Sequence, residues 1–307
     1  MDELRVLAAG LRFPEGPVAM PDGSVLLVEI ARGTVSRVSP DGAVSIVAQL
    51  GGGPNGLALG PDGALYVCNN GGFAWREEAG LLRPVGTPDD YAGGWIERLD
   101  LRSGTARTLY TACGEHRLCG PNDIVFDRQG GFYFTDLGKS RRRDRDHGGV
   151  YYAQPDGSRI AEVVHPILTP NGIGLSPDER TLYVAETEAA RLWAFDVASP
   201  GVLAKRGFPS PNGGRLLFNQ AGYQRYDSLA VDADGNVCVA TLMSGHVTVV
   251  SPDGALVRQV KMPDPYTTNI CFGGAGLRTA YVTLSGLGQL VAMPWPEAGL
   301  RLNFAAA

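Results

Sequence analysis

The chain has 307 residues, 44% hydrophobic and 19% charged, an ordinary composition for a soluble protein. Its formal net charge of −5 argues against a nucleic-acid partner. No apolar run approaches the roughly 18 residues that would cross a membrane, and the acids of MDELRVLAAGLRF oppose a signal peptide, so a cytoplasmic location is expected.

No segment carries helical periodicity over a dozen residues, while 42 Gly and 21 Pro punctuate short strand-like runs, so the chain reads as all-β. The first run, LRVLAAG (4–10), has no hairpin partner of its own. Then come PEGPVAMPDGSVLLVEI from Pro14 and PNGLALGPDGALYVCNN from Pro54. A long insertion, 71–94, follows the second and carries Phe73, Trp75 and Tyr91; it reads either as a lid or as packing on the unit beneath. PNDIVFDRQGGFYFTDL starts at Pro121, followed by the basic run KSRRRDRDH (139–147), expected to be a solvated loop. PNGIGLSPDERTLYVAET starts at Pro170 and is followed by a second insertion, 207–226. YDSLAVDADGNVCVATL from Tyr226 and TNICFGGAGLRTAYVTL from Thr268 complete the series.

Each of these six segments is a pair of apolar runs joined by a tight turn, and most are followed by a third strand such as TVSRVSPDG or HVTVVSPDG. The spacing of about 40 to about 67 residues predicts a six-bladed β-propeller forming one domain over 1–307. The strand at 4–10 is expected to pair into the last blade and close the ring, because an open ring leaves unpaired strand edges. The five cysteines show no CxxC; Cys68, Cys238 and Cys271 read as core residues, and Cys113 and Cys119 as loop thiols.

The second residue of each segment is Glu15, Asn55, Asn122, Asn171, Asp227 and Asn269. Every one carries a side-chain oxygen at the mouth of an innermost strand, and no Lys or Arg shares the phase. Inner strands of a propeller line its central channel, so these oxygens are expected to converge there around a cation. Hard oxygen donors without His or Cys favour Ca²⁺, then Mg²⁺ or Mn²⁺, over Zn²⁺.

FPEGPV (13–18), GPNDIVFDRQGGFYFTD (120–136), TPNGIGLSPDERTLYVAET (169–187) and DSLAVDADGNVCVA (227–240) together make the chain resemble the gluconolactonase and regucalcin (senescence marker protein) family of six-bladed propellers. The resemblance covers nearly the whole chain. It implies a divalent metal held by Glu15, Asn171 and Asp227, with Asn122 and Asp123 beside the substrate. Within the group, NDIVFD, GGFYFTD and GGVYY are most similar to the drug-responsive calcium-dependent lactonase branch. Diisopropyl fluorophosphatase shares the architecture and a similar Asn-Asp motif. Sugar-lactone members carry an Arg two residues before this Asn. Here that position is Gly120, so a less polar lactone than gluconolactone is expected.

Opening a lactone needs a polarised carbonyl, an activated water and a stabilised oxyanion. Asp227 is the first candidate for the base and Asp123 the second, with Glu15 and Asn171 as ligands and Asn122 touching metal or substrate. Ser228 could add a weaker oxygen contact, and Asn55 and Asn269 share the phase but fall outside the family's trio. No GxSxG, HExxH or GxxxxGK[ST] is present. The alternatives are an organophosphate or phosphotriester hydrolase on the same metal site, and a non-catalytic propeller that binds a partner.

Overall fold

A computed structural model describes residues 4–305. Six antiparallel sheets form the blades of a propeller, and their innermost strands pack side by side in a closed ring. These inner strands are Pro14–Ala19, Pro54–Leu59, Pro121–Phe126, Pro170–Leu175, Arg225–Val231 and Thr267–Gly273, for blades 1 to 6. Arg5–Ala8 pairs with Gln289–Pro294 as the outer strand of blade 6, so the N-terminal strand closes the ring as expected.

The blades stack through their faces, and a hydrophobic cluster fills each of the six interfaces. Strand Val25–Glu29 shows the principle. Val25 and Leu27 face blade 6, while Leu26 and Val28 face blade 2. Both faces of such a strand are buried, which is why VLLV reads as a continuous apolar run rather than an alternating one.

Blade 4 departs from the four-stranded pattern of the other five. Its third strand, Arg191–Ser199, is long enough to hold two partners: Val202–Ala204 on its distal part and Arg215–Asn219 on its proximal part. The second insertion is therefore partly a strand, not only a loop. The first insertion holds a two-stranded ribbon, Ala74–Glu78 with Leu81–Gly86. Among the described residues the one helical element is the short 3-10 turn Ala275–Leu277, and no helix is long and apolar enough to cross a membrane.

Every inner strand breaks its pairing near its start. In blade 3 the ladder jumps from Pro121–Asp136 to Ile124–Phe134, leaving Asn122 and Asp123 opposite Thr135 alone. The same jump leaves out Asn55, Asn171 and Asp227 in blades 2, 4 and 5, with a similar irregularity in blades 1 and 6. Such bulges re-aim side chains. They also bring neighbouring inner strands close together: a Cβ on Gly172 would lie 2.7 Å from the Asp227 carbonyl oxygen. The Gly of PNG thus serves backbone-to-backbone packing between blades as well as the local turn.

Candidate active site at the mouth of the channel

The bulges divide the channel into two cavities. The upper one, about 260 Å³, is bordered by Glu15, Asn55, Asn122, Asn171 and Asp227 from blades 1 to 5. Its apolar wall includes Phe13, Ile30, Phe73, Leu242, Met243 and Tyr266. The lower one, about 500 Å³, is bordered by Asp123 and Asn269 and is otherwise largely apolar.

The split corrects the expected phase in the last blade. Thr267 pairs with Leu284 and Asn269 with Thr283, so the residue skipped is Thr268. By pairing register, Thr268 is the counterpart of Asn55, Asn122, Asn171 and Asp227, and Asn269 is the counterpart of Asp123 and Ser228. Asn269 does not face the upper cavity. Its Nδ2 donates to Glu15 Oε2 at 2.8 Å, while its Oδ1 accepts the Ile270 N–H at 2.7 Å. The Thr268 hydroxyl, missed in the sequence, bonds with Thr283 at 2.9 Å and with Ser285.

The expected metal trio comes together at the upper cavity. Glu15 is held by Asn269 and by the Gly16 N–H at 2.9 Å. Asn171 donates through Nδ2 to Thr187 Oγ1 at 3.1 Å, and its Oδ1 accepts from Ser228 Oγ at 3.3 Å. These bonds orient the amide oxygen toward the side of Asp227 and Ser228. The Asn122 Oδ1 is buried without a hydrogen-bond partner among the described residues. Asp123 stands apart from its neighbour Asn122. It borders the lower cavity, and its carboxylate accepts the Ile124 N–H at 2.9 Å and the Ile173 N–H at 3.3 Å.

Glu15, Asp123 and Asp227 are all buried, and none makes an ion pair among the described residues. Burial raises all three above the usual carboxylate range. Asp123 is pushed up to about 7 by burial and then by the Glu15 charge. Asp227 is raised well above its ordinary value by burial, with Glu15 adding to it. Glu15 is raised by burial against the bonds from Asn269, Gly16 and Thr268. Carboxylates crowded this way either hold protons or share a cation.

The residues fit a hard divalent ion. Among the described residues no three His, Cys, Asp or Glu side chains form a metal-binding cluster, so a cation here would rely on amide oxygens beside Glu15 and Asp227. Asn171 and the orphaned oxygen of Asn122 supply those donors, an all-oxygen set that suits Ca²⁺ better than Zn²⁺.

Loop 137–147 overturns the expectation of a wholly solvated basic run. Arg141, Arg142 and Arg143 are exposed, but Lys139 is buried and borders the upper cavity. Two glycines allow this: a Cβ on Gly120 would lie 2.8 Å from the Gly138 carbonyl oxygen, and Gly138 has φ +73°. Phe73, Pro84 and Thr87 of the first insertion also border the cavity, whereas Trp75 packs on Phe13 at 5.0 Å between ring centroids. Of the second insertion only Arg225 reaches it; Phe208 and Tyr223 are exposed.

The family model described as SMP-30/Gluconolactonase/LRE-like region matches residues 13–286. A lactonase drp35 of Staphylococcus saprophyticus is 32% identical over 263 residues, covering 85% of this chain and 72% of that protein. A gluconolactonase of Zymomonas mobilis is 27% identical over 307 residues, covering 92% and 79%. The solved gluconolactonase of Xanthomonas campestris superposes with a TM-score of 0.75 at 26% identity, covering 95% of this chain and 89% of that one.

Proposed function

The chain belongs to the SMP-30/gluconolactonase/LRE-like family, and from that premise we propose that it is a hydrolase that opens lactone rings in the upper cavity, using one divalent cation, Ca²⁺ before Mg²⁺ or Mn²⁺. The observation that carries this reading is the convergence of two unpaired, buried carboxylates, Glu15 and Asp227, with the orphaned oxygen of Asn122 in one cavity with an apolar wall. A scaffold gains nothing from leaving such groups uncompensated.

Glu15, Asn171 and Asp227 would hold the cation, with Asn122 completing the set on the metal or on the substrate. When bound, the cation would supply Lewis-acid polarisation of the lactone carbonyl and keep the carboxylates ionised. Asp227 would take the proton of the attacking water. Its neighbour Ser228 holds the Asn171 amide, and Asn269 holds Glu15, so both ligands are oriented before substrate enters. The apolar wall would seat the ring and exclude bulk water. Asp123, engaged by two backbone N–H groups, fits a role in shaping the channel charge better than direct contact with substrate. The five free cysteines accord with a cytoplasmic setting.

The test is a hydrolysis panel of γ- and δ-lactones beside a neutral phosphotriester, before and after thorough chelation, with metal content measured on the purified protein. Lactone turnover lost on chelation and restored by Ca²⁺ is the expected result. Turnover undiminished by chelation removes the cation from the reading, and turnover of the triester alone replaces the lactonase with a phosphotriesterase.

A further inference from the structure

Lys139 is a cation that the reaction outlined above does not use. The residue is 2% exposed, yet it borders the same cavity as Glu15 and Asp227. Its Nζ donates to the Gly72 carbonyl at 2.6 Å and lies 3.4 Å from Asn70 Oδ1. The rings of Phe73 and Tyr91 cover it at 4.3 and 5.1 Å from their centroids. An ammonium has three N–H donors, so at least one has no protein acceptor here.

The charged groups around it are engaged elsewhere. Asp136 accepts the backbone N–H groups of Cys119, Gly120 and Gly138 at 2.7, 2.7 and 2.9 Å. Asp146 pairs with Arg141 at 2.6 Å and accepts the backbone N–H of Lys139 at 3.1 Å. The Tyr91 hydroxyl donates to the Cys119 carbonyl at 2.6 Å, and the Cys119 thiol to the Arg117 carbonyl at 3.6 Å. At the cavity rim Arg145 and Arg225 both pair with Glu188, at 3.5 and 3.2 Å. Lys139 itself makes no ion pair among the described residues. Asp136 and Asp146 attract Lys139 without coming within ion-pair distance, so its buried charge is incompletely compensated, and the cavity it borders gives a further counter-charge a way to reach it.

We propose that Lys139 is a specificity residue that receives a carboxylate carried by the substrate, so that the preferred class is a lactone with an anionic substituent. The proposal rests on the hydrolase reading of this cavity. The topology orients such a molecule. Lys139 lies against Asn70 and Gly72, which follow the second strand of blade 2, whereas Asp227 belongs to blade 5, on the opposite side of the ring. A negative substituent drawn to Lys139 leaves the lactone carbonyl free to lie toward Glu15 and Asp227, where the proposed cation would sit. Burial lowers the Lys139 pKa to about 8 against the pull of Asp136, Cys119 and Asp146, so the site is charged at neutral pH and loses its charge as the pH rises through about 8.

The test compares γ-butyrolactone-γ-carboxylate with its methyl ester, as a ratio of kcat/KM in Ca²⁺-saturated protein. The ratio cancels any titration of Glu15 or Asp227 common to both substrates. Wild type should prefer the acid by ~10-fold or more, the range of a buried charge-assisted hydrogen bond. The preference should fade above about pH 8. Lys139→Met should bring the ratio to about one, and Lys139→Arg should retain part of it, separating charge from packing. An acid and ester that are equal in wild type, or a preference that survives Lys139→Met, overturns the proposal. Should Lys139→Met not fold, the pH dependence of the wild-type ratio decides alone. Calorimetric binding of glutarate against butyrate gives a readout independent of turnover. Tighter glutarate binding that is lost in Lys139→Met supports Lys139 even if no lactone is opened, and equal binding of the two acids overturns it.

Discussion

Asn269 donates its amide to Glu15 at 2.8 Å across 254 residues of chain, joining the last blade to the first at the edge of the upper cavity. One contact therefore ties ring closure to the orientation of the carboxylate proposed to hold the cation. Removing the amide leaves Glu15 buried with fewer donors. Asn269→Ala should weaken Ca²⁺ affinity by ~10–100-fold, the usual cost of losing a group that orients a ligand. It should also destabilise the chelated protein by ~1.5–3 kcal/mol. A cation titration and a urea melt read the two effects separately.

Glu15→Gln and Asp227→Asn should fail in different ways. On the proposed roles the first removes a ligand charge and spares the base, so excess cation should restore much of its activity. The second removes the base as well, and should lose at least ~10²-fold in rate without rescue. Full rescue of Asp227→Asn by metal would demote Asp227 to a ligand.

Stability should depend on pH in opposite senses with and without the cation. In the chelated protein Glu15, Asp123 and Asp227 have folded pKa values above their unfolded ones. The folded state then binds more protons than the unfolded state, so their contribution is fully present below about pH 4 and is lost as the pH rises. For Asp123 that loss runs up to about pH 7. Cation binding competes with those protons. The gap in Tm between Ca²⁺-loaded and chelated protein should widen between pH 5 and pH 8; a constant gap would show that these carboxylates are not the binding groups.

Neutral γ- and δ-lactones should be hydrolysed with higher kcat/KM than glucono-δ-lactone. Phe13, Ile30, Phe73, Leu242 and Met243 give the cavity an apolar wall that suits a plain lactone ring, while its polar groups such as Thr87, Arg145, Glu188 and Arg225 stand among its other lining residues. Gly120 cannot be given any side chain without displacing Gly138, whose carbonyl oxygen would lie 2.8 Å from a Cβ there. A kinetic preference for the sugar lactone would contradict this assignment. Gly120→Ala itself should cost ~1–3 kcal/mol of stability by overpacking, measured by denaturant melts.

Local pattern placed the six blades, the closing N-terminal strand, and Glu15, Asn55, Asn122, Asn171 and Asp227 at one cavity, while the family resemblance singled out Glu15, Asn171 and Asp227 among them. The reason is periodicity: strands alternate with turn dipeptides at a repeating interval, and a propeller brings equivalent positions of every repeat to one axis. Three features were decided only by tertiary structure. Asn269 and Thr268 exchange roles because a bulge is defined by which residues pair across strands, and TTNI fits either register when read alone. Asp123 leaves the cavity of Asn122 because that bulge turns adjacent side chains to opposite ends of the channel. Lys139 looks solvated within KSRRRDRDH, but the approach of Gly138 to Gly120, and rings supplied by an insertion of another blade, bury it. Burial of that kind is set by what the rest of the chain brings to a loop, and the composition of the loop does not carry it.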